Sequence, residues 1–173
     1  MNVRKMAQCA LFAALLCLCA WLAVPMGTTV VTLQTFGIFL CLGLLGGKWG
    51  TLTIGVYLLL GAVGLPVFSG FRGGIGALLD ATGGYLLGFL GAGILFWVLE
   101  ARFGGKPVIR LTGWILGLLL CYGIGTLWFS RVYLGGGQTL GAALAVCVLP
   151  YLLPDALKLA LAWLLTEKLK RFV

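Results

Sequence analysis

Asp155 and Lys158 stand three residues apart in an apolar segment of this 173-residue chain. On a helix that spacing puts both side chains on one face. A carboxylate and an ammonium side by side can hold a small ligand, the acid accepting N–H bonds and the cation binding a carboxylate. The same pair could serve as general base and acid. A purely structural alternative is an acid in the first helical turn behind Pro154, with Lys158 as its ion-pair partner or snorkelling to an interface. The chain offers little other chemistry. It has no histidine, and Cys9, Cys17, Cys19, Cys41, Cys121 and Cys147 lie in apolar runs without a Cys-x-x-Cys pair. That argues against a metal site and for thiols acting as small hydrophobes. There is no Gly-x-Ser-x-Gly elbow and no Walker A loop, so the chain cannot hydrolyse ATP by that route. The expectation is ligand binding with no cofactor and no reaction.

The elements that must position this pair are membrane helices. A mean hydropathy of +1.15 with 62% hydrophobic residues leaves too little polar surface for a water-soluble domain. The net charge of +8 would suggest nucleic acid in a soluble protein. Here its placement beside apolar runs fixes topology in the lipid bilayer, and no nucleic-acid partner is expected. The apolar pattern predicts helices over about Met6–Met26, Thr35–Gly46, Gly50–Val63, Thr82–Ala101, Leu111–Trp128 and Pro154–Lys170. A further apolar stretch at Leu140–Leu149 reads as helical before Pro150 and Pro154 interrupt it. The second helix is short for a span, so tilt or local irregularity is expected. The first reads as a retained span rather than a signal peptide, since it lacks a clean small-x-small cleavage site. The fold class is therefore an all-α polytopic membrane protein of six transmembrane helices, with 1–173 as one domain.

With the N-terminus inside, Arg4, Lys5, Lys48, Arg102, Lys106, Arg110, Lys168, Lys170 and Arg171 all fall on the cytoplasmic side. Only Arg72 and Arg131 fall in outer loops, and both termini are then cytoplasmic. Trp49, Trp97 and Trp114 lie near inner helix ends, Trp21 and Trp128 near outer ones. Glu100 and Glu167 read as solvated helix ends.

Three outer segments gather the polar, aromatic and glycine residues: Gly27–Phe36, Gly64–Tyr85 and Arg131–Lys158. Ordinary surface loops share that composition. A charged pair at the mouth of these loops favours a ligand pocket, because ionisable residues in membrane segments are costly. On helix 1, Ala10 and Ala14 make a small-residue face suited to close packing, within this bundle or against a partner.

Several strings in the right order are recognisable. Thr32-Leu33-Gln34-Thr35-Phe36, Tyr57-Leu58-Leu59-Leu60-Gly61-Ala62-Val63-Gly64-Leu65-Pro66-Val67-Phe68, Thr82-Gly83-Gly84-Tyr85-Leu86-Leu87-Gly88-Phe89 and Asp155-Ala156-Leu157-Lys158 resemble the BioY family. Its members are biotin-binding S components of energy-coupling factor transporters. The resemblance implies a six-helix protein of a prokaryotic cell membrane that captures biotin from outside. It implies as partners a transmembrane coupling subunit and a pair of cytoplasmic ATPases. It also implies that Ala10 and Ala14 match the helix 1 motif presented to the coupling subunit. Asp155 and Lys158 match the family's biotin-binding Asp and Lys, the ureido group supplying N–H donors and the valerate tail the carboxylate. Gln34, Thr35, Phe71, Gly73 and Tyr85 are added as pocket residues from their loop positions, with the Gln34 and Phe71 loops expected to close as lids. The chain departs from the family pattern at Asp80-Ala81, where members carry Gly-Pro, and at Leu153-Pro154, where they carry Pro-Gly. An S component for another small vitamin, or a membrane enzyme using Asp155 and Lys158, are the competing readings.

Overall fold

Apolar runs broken by glycine and proline fold into helices because lipid leaves no other partner for backbone N–H and C=O groups. The computed structural model describes residues 3–26, 29–132 and 148–171. Helix α1 spans Val3–Trp21, and strands β1 (Ala23–Met26) and β2 (Thr29–Thr32) follow it. Next come α2 (Gln34–Ala62), a 3-10 turn at Ser69–Phe71, and the short α3 (Ile75–Leu79). The long helices α4 (Gly83–Phe103), α5 (Pro107–Val132) and α6 (Leu149–Leu169) complete the described chain. Five of these helices are long and apolar enough to cross a membrane. Leu119, Leu153, Leu161 and Leu164 point out of the bundle, each more than half exposed, as a lipid-facing surface requires. Gly27, Thr28, Tyr133, Gly135–Gly137, Gln138 and most of the predicted Leu140–Leu149 helix lie outside the described residues.

Element α2 is two helices. Gly46, at φ 79° and ψ 171°, breaks the helical path, in a region of backbone space that essentially only glycine occupies. The chain folds back there. Gln34 Nε2 donates to Tyr57 Oη across 2.8 Å, although 23 residues of continuous helix would separate them by roughly 34 Å. A Cβ on Gly50 would stand only 2.9 Å from Leu42 Cα, so the two arms touch backbone to backbone. The predicted short second helix and the third are thus the arms of an interior hairpin, so that six long helical segments are found among the described residues. Packed centrally, α2 contacts α1, α4 and α6, and its residues from Ile38 to Leu45 are almost all buried. Trp114, predicted near the inner interface, is a core residue against Phe39.

Two boundaries differ from the sequence reading. Helix α1 ends at Trp21, not Met26, because Pro25 lacks an N–H and disfavours α geometry at Val24. Ala23–Met26 and the β-branched Thr29–Thr32 pair instead as antiparallel strands, Ala23 opposite Thr32 and Val24 opposite Val31. Helix α6 begins at Leu149, with Pro150 in its first turn and Pro154 accommodated inside. Nor are the inner acids mere solvated ends. Glu100 Oε2 accepts the Gly47 N–H at 2.6 Å and so closes the α2 turn. Glu167 pairs with Arg110, which is only 4% exposed and also lies over the Trp163 ring.

Helices α4 and α5 approach at small residues. A Cβ on Gly88 would come within 2.9 Å of Cys121 Cα, the close contact that drives helix association in lipid. On α1, Ala10 and Ala14 face outward while Ala13 and Leu16 are buried. Among the described residues nothing packs on the Ala10–Ala14 face closely enough to bury it.

Because only glycine tolerates the Gly46 backbone, Gly46→Ala should lower stability by about 1–3 kcal/mol. Gly55→Ala, in the second arm with open space around it, should be neutral or stabilising by up to about 1 kcal/mol. Thermal unfolding of the two variants in detergent checks both; equal losses would mean the turn at Gly46 is unstrained.

Candidate functional site

The opening turns of α6 carry Asp155 inward, with Lys158 one turn later on the same face. Both are nearly sealed, at 4% and 6% exposure. Asp155 Oδ1 accepts from Lys158 Nζ at 2.7 Å. Its Oδ2 accepts from Tyr122 Oη at 2.6 Å, a hydroxyl supplied by the middle of α5. Buried charges persist only when paired and hydrogen-bonded, and both conditions are met. A carboxylate has roughly four lone-pair positions, so Asp155 can still accept from a ligand.

Above this pair lies a cavity of about 790 Å³, within the range of roughly 300–1,000 Å³ typical of small-molecule sites. One wall comes from the start of α2. Thr32 Oγ1 donates to Gln34 Oε1 at 3.2 Å, and Gln34 Nε2 donates to Tyr57 Oη. Tyr57 in turn donates to the Val67 carbonyl at 3.2 Å and meets the edge of Phe68. The opposite wall is built by α4 and α5, where the Tyr85 and Thr126 hydroxyls lie 3.4 Å apart and Leu86, Phe89 and Leu118 supply apolar surface. Tyr151 and Phe129 add aromatic surface near the α6 start.

At the mouth Arg72 pairs with Asp80, and both line the cavity while remaining about half exposed. Two ion pairs therefore face the space, and their four formal charges cancel. The Ala81 N–H and the Arg72 guanidinium hold the Asp80 carboxyl below the usual carboxylate range. The neighbouring loop is tied down by Trp21, whose Nε1 donates to the Pro66 carbonyl and whose ring stacks on Phe71 at 4.9 Å.

Of the residues predicted from the sequence, Asp155, Lys158, Gln34, Thr35 and Tyr85 all line this one cavity. Phe71 and Gly73 do not line it. Phe71 lies outside on Trp21, 64% exposed, and Gly73 packs directly against the Leu65 carbonyl, leaving no room for a side chain. The residue missed altogether is Tyr122. Its signal was a hydroxyl-bearing ring between Cys121 and Gly123 in an apolar helix, but helical position alone does not reveal a partner on α6. A second cavity carboxylate, Asp80, was also not anticipated. Among the described residues no group of His, Cys, Asp or Glu could hold a metal ion.

The sequence matches the BioY family over residues 1–173. It is similar to the biotin transporter BioY of Thermotoga maritima, at 36% identity over 170 residues covering 98% of this chain and 97% of that protein. It is similar also to the probable biotin transporter BioY of Pyrococcus horikoshii, at 38% identity with 98% of each chain covered. The structure resembles that of the S-component for biotin from an ECF-type ABC transporter, with a TM-score of 0.85, 26% identity, and 99% of this chain and 93% of that one covered. With the family match running from the first residue to the last, and relatives aligned over nearly the whole sequence, the chain belongs to the BioY family.

Proposed function

We propose that this protein is the biotin-capturing S component of an energy-coupling factor uptake system, binding biotin near the outer membrane face. The observation that carries the reading is the buried Asp155–Lys158–Tyr122 set lining the cavity, in a chain of the BioY family. Lys48, Arg102, Lys106, Arg110 and Lys168 lie at the end of the bundle away from the cavity, which under the positive-inside rule turns the cavity outward. A transmembrane coupling subunit and a pair of cytoplasmic ATPases would supply the energy. Such a coupling subunit would dock on the outward Ala10–Ala14 face of α1.

The spacing of the charged atoms refines which part of biotin meets which residue. Lys158 Nζ and Asp155 Oδ1 are 2.7 Å apart, so a group touching both must present its acceptor and its donor side by side. A cyclic urea does this, its C=O adjacent to its N–H. Lys158 thus suits the ureido carbonyl rather than the carboxylate that its residue type first suggested. Asp155 accepts the ureido N–H as a charge-assisted bond. The valerate tail carries its acid away from the rings, and the second cavity cation, Arg72 at the mouth, receives it. Phe89, Leu86 and Leu118 provide apolar surface for the rings and tail.

Equilibrium binding of biotin to the purified chain in detergent tests the reading. Wild type should bind tightly, and Asp155→Asn should weaken binding roughly ten- to a hundredfold, the worth of a hydrogen bond to a charged group. Unchanged affinity in the variant would take Asp155 out of the site. Lys158→Met should weaken biotin and biotin amide by similar factors, since both keep the ureido ring; a loss confined to biotin would return Lys158 to the carboxylate. Ala14→Leu should leave binding in detergent intact while lowering biotin uptake by cells carrying the coupling module. Full uptake would place the docking surface elsewhere.

A further inference from the structure

Each of the two cavity cations is paired with a carboxylate, and this bears on how an acid is bound at the mouth. Arg72 is engaged by Asp80 through one terminal guanidinium nitrogen, while its Nε donates to the Ser69 carbonyl at 3.3 Å. Asp80 is held as a fixed post. Its carboxylate accepts the Ala81 N–H at 2.7 Å, and its carbonyl accepts from Trp128 Nε1 of α5 at 3.0 Å and from the Gly83 N–H at 2.9 Å. Arg72, on the loop side, has 48% of its side chain exposed and Asp80 44%, so the pair is reachable from outside and from the cavity alike.

An arriving carboxylate prefers a two-point grip on a guanidinium fork. Asp80 already occupies part of that fork, and its charge repels a second anion at short range. We propose that Asp80 is an internal competitor for the ligand's carboxylate at Arg72, so that an acid ligand binds by carboxylate exchange at the cavity mouth. The proposal rests on the reading that Arg72 receives the acid of the ligand. The exchange keeps Arg72 oriented when the cavity is empty. It also limits how firmly the acid is held, which suits a carrier that must release what it captures. Asp80 is then a residue that sets specificity by lowering the preference for acid over neutral analogues.

The experiment is a titration of the purified full chain in detergent with biotin and with biotin amide, reading the ratio of the two affinities. Asp80→Asn, which keeps an acceptor for the Ala81 N–H, should raise the preference for biotin over the amide roughly two- to fivefold, the scale of an exposed ion pair. Arg72→Gln should bring the ratio close to one. If Arg72→Gln erases the preference and Asp80→Asn leaves it unchanged or reduces it, the competitor is overturned while the Arg72 contact stands. If Arg72→Gln leaves the ratio as in wild type, the acid is held elsewhere and both ideas fall. Asp80→Ser serves as a second variant. Should both Asp80 changes weaken biotin and the amide equally, Asp80 is only a structural post and the exchange is wrong.

Discussion

An ammonium and a carboxylate sealed among apolar helices impose the strictest condition on this structure. Even after relaxation, taking each ion out of water costs several kcal/mol, and mutual attraction offsets that only with good geometry and further hydrogen bonds. Here α6 must present Asp155 and Lys158 on one face, and α5 must bring the Tyr122 hydroxyl to the second carboxylate oxygen. The start of α6, the pitch of α5 and the depth of the cavity floor are all tied to that requirement. Asp155 and Lys158 form a buried ion pair within a membrane-spanning helix, and ionisable groups in such segments mark function by default.

The rest of the architecture supplies the close packing that holds the cavity walls. Lipid tails are as apolar as leucine, so helices in a bilayer associate by surface fit. Gly50 against Leu42 brings the arms of α2 into backbone contact, and Gly88 against Cys121 does the same for α4 and α5. The two ends of the bundle are built differently. At the basic end, Glu100 closes the α2 turn and Arg110 is buried against Glu167 and Trp163. The other end carries the short β hairpin and the Trp21-anchored loop around a cavity open at its mouth. A closed basic end opposite a cavity with a mouth suits capture from one side of the membrane.

Electroneutrality gives the cavity a particular character. Asp155 balances Lys158 and Asp80 balances Arg72, so a ligand with a carboxylate enters a space with no net attraction for it. Recognition then depends on rearranging existing pairs and on local dipoles, with the apolar walls contributing the contact area. Carriers gain from this balance, because a ligand held by an uncompensated buried charge would be slow to leave.

Periodicity and charge placement were enough to assign the membrane class, the helical segments and the end at which polar residues gather, since these follow from hydropathy and from the cost of burying charge. Asp155 and Lys158 stood out in the sequence as charges in an apolar segment, and Gln34, Thr35 and Tyr85 were chosen by loop position; all five line the one cavity. The stop of α1 at Trp21 was legible too, in Pro25, though its strand-forming neighbours were read as helix. Tertiary structure alone decided the rest. The break at Gly46 was legible as a helix boundary, but that the two arms fold back until Gln34 meets Tyr57 came only from the tertiary structure. Tyr122 gains its role from an α6 carboxylate 33 residues away, and Arg72 from Asp80 across a loop. Phe71 and Gly73 had the right composition but the loop turned them away from the cavity. Residue type determines what a side chain can bind; only the packing of distant segments determines which partner stands within 3 Å of it, because that contact is paid for by the fold as a whole and not by local sequence.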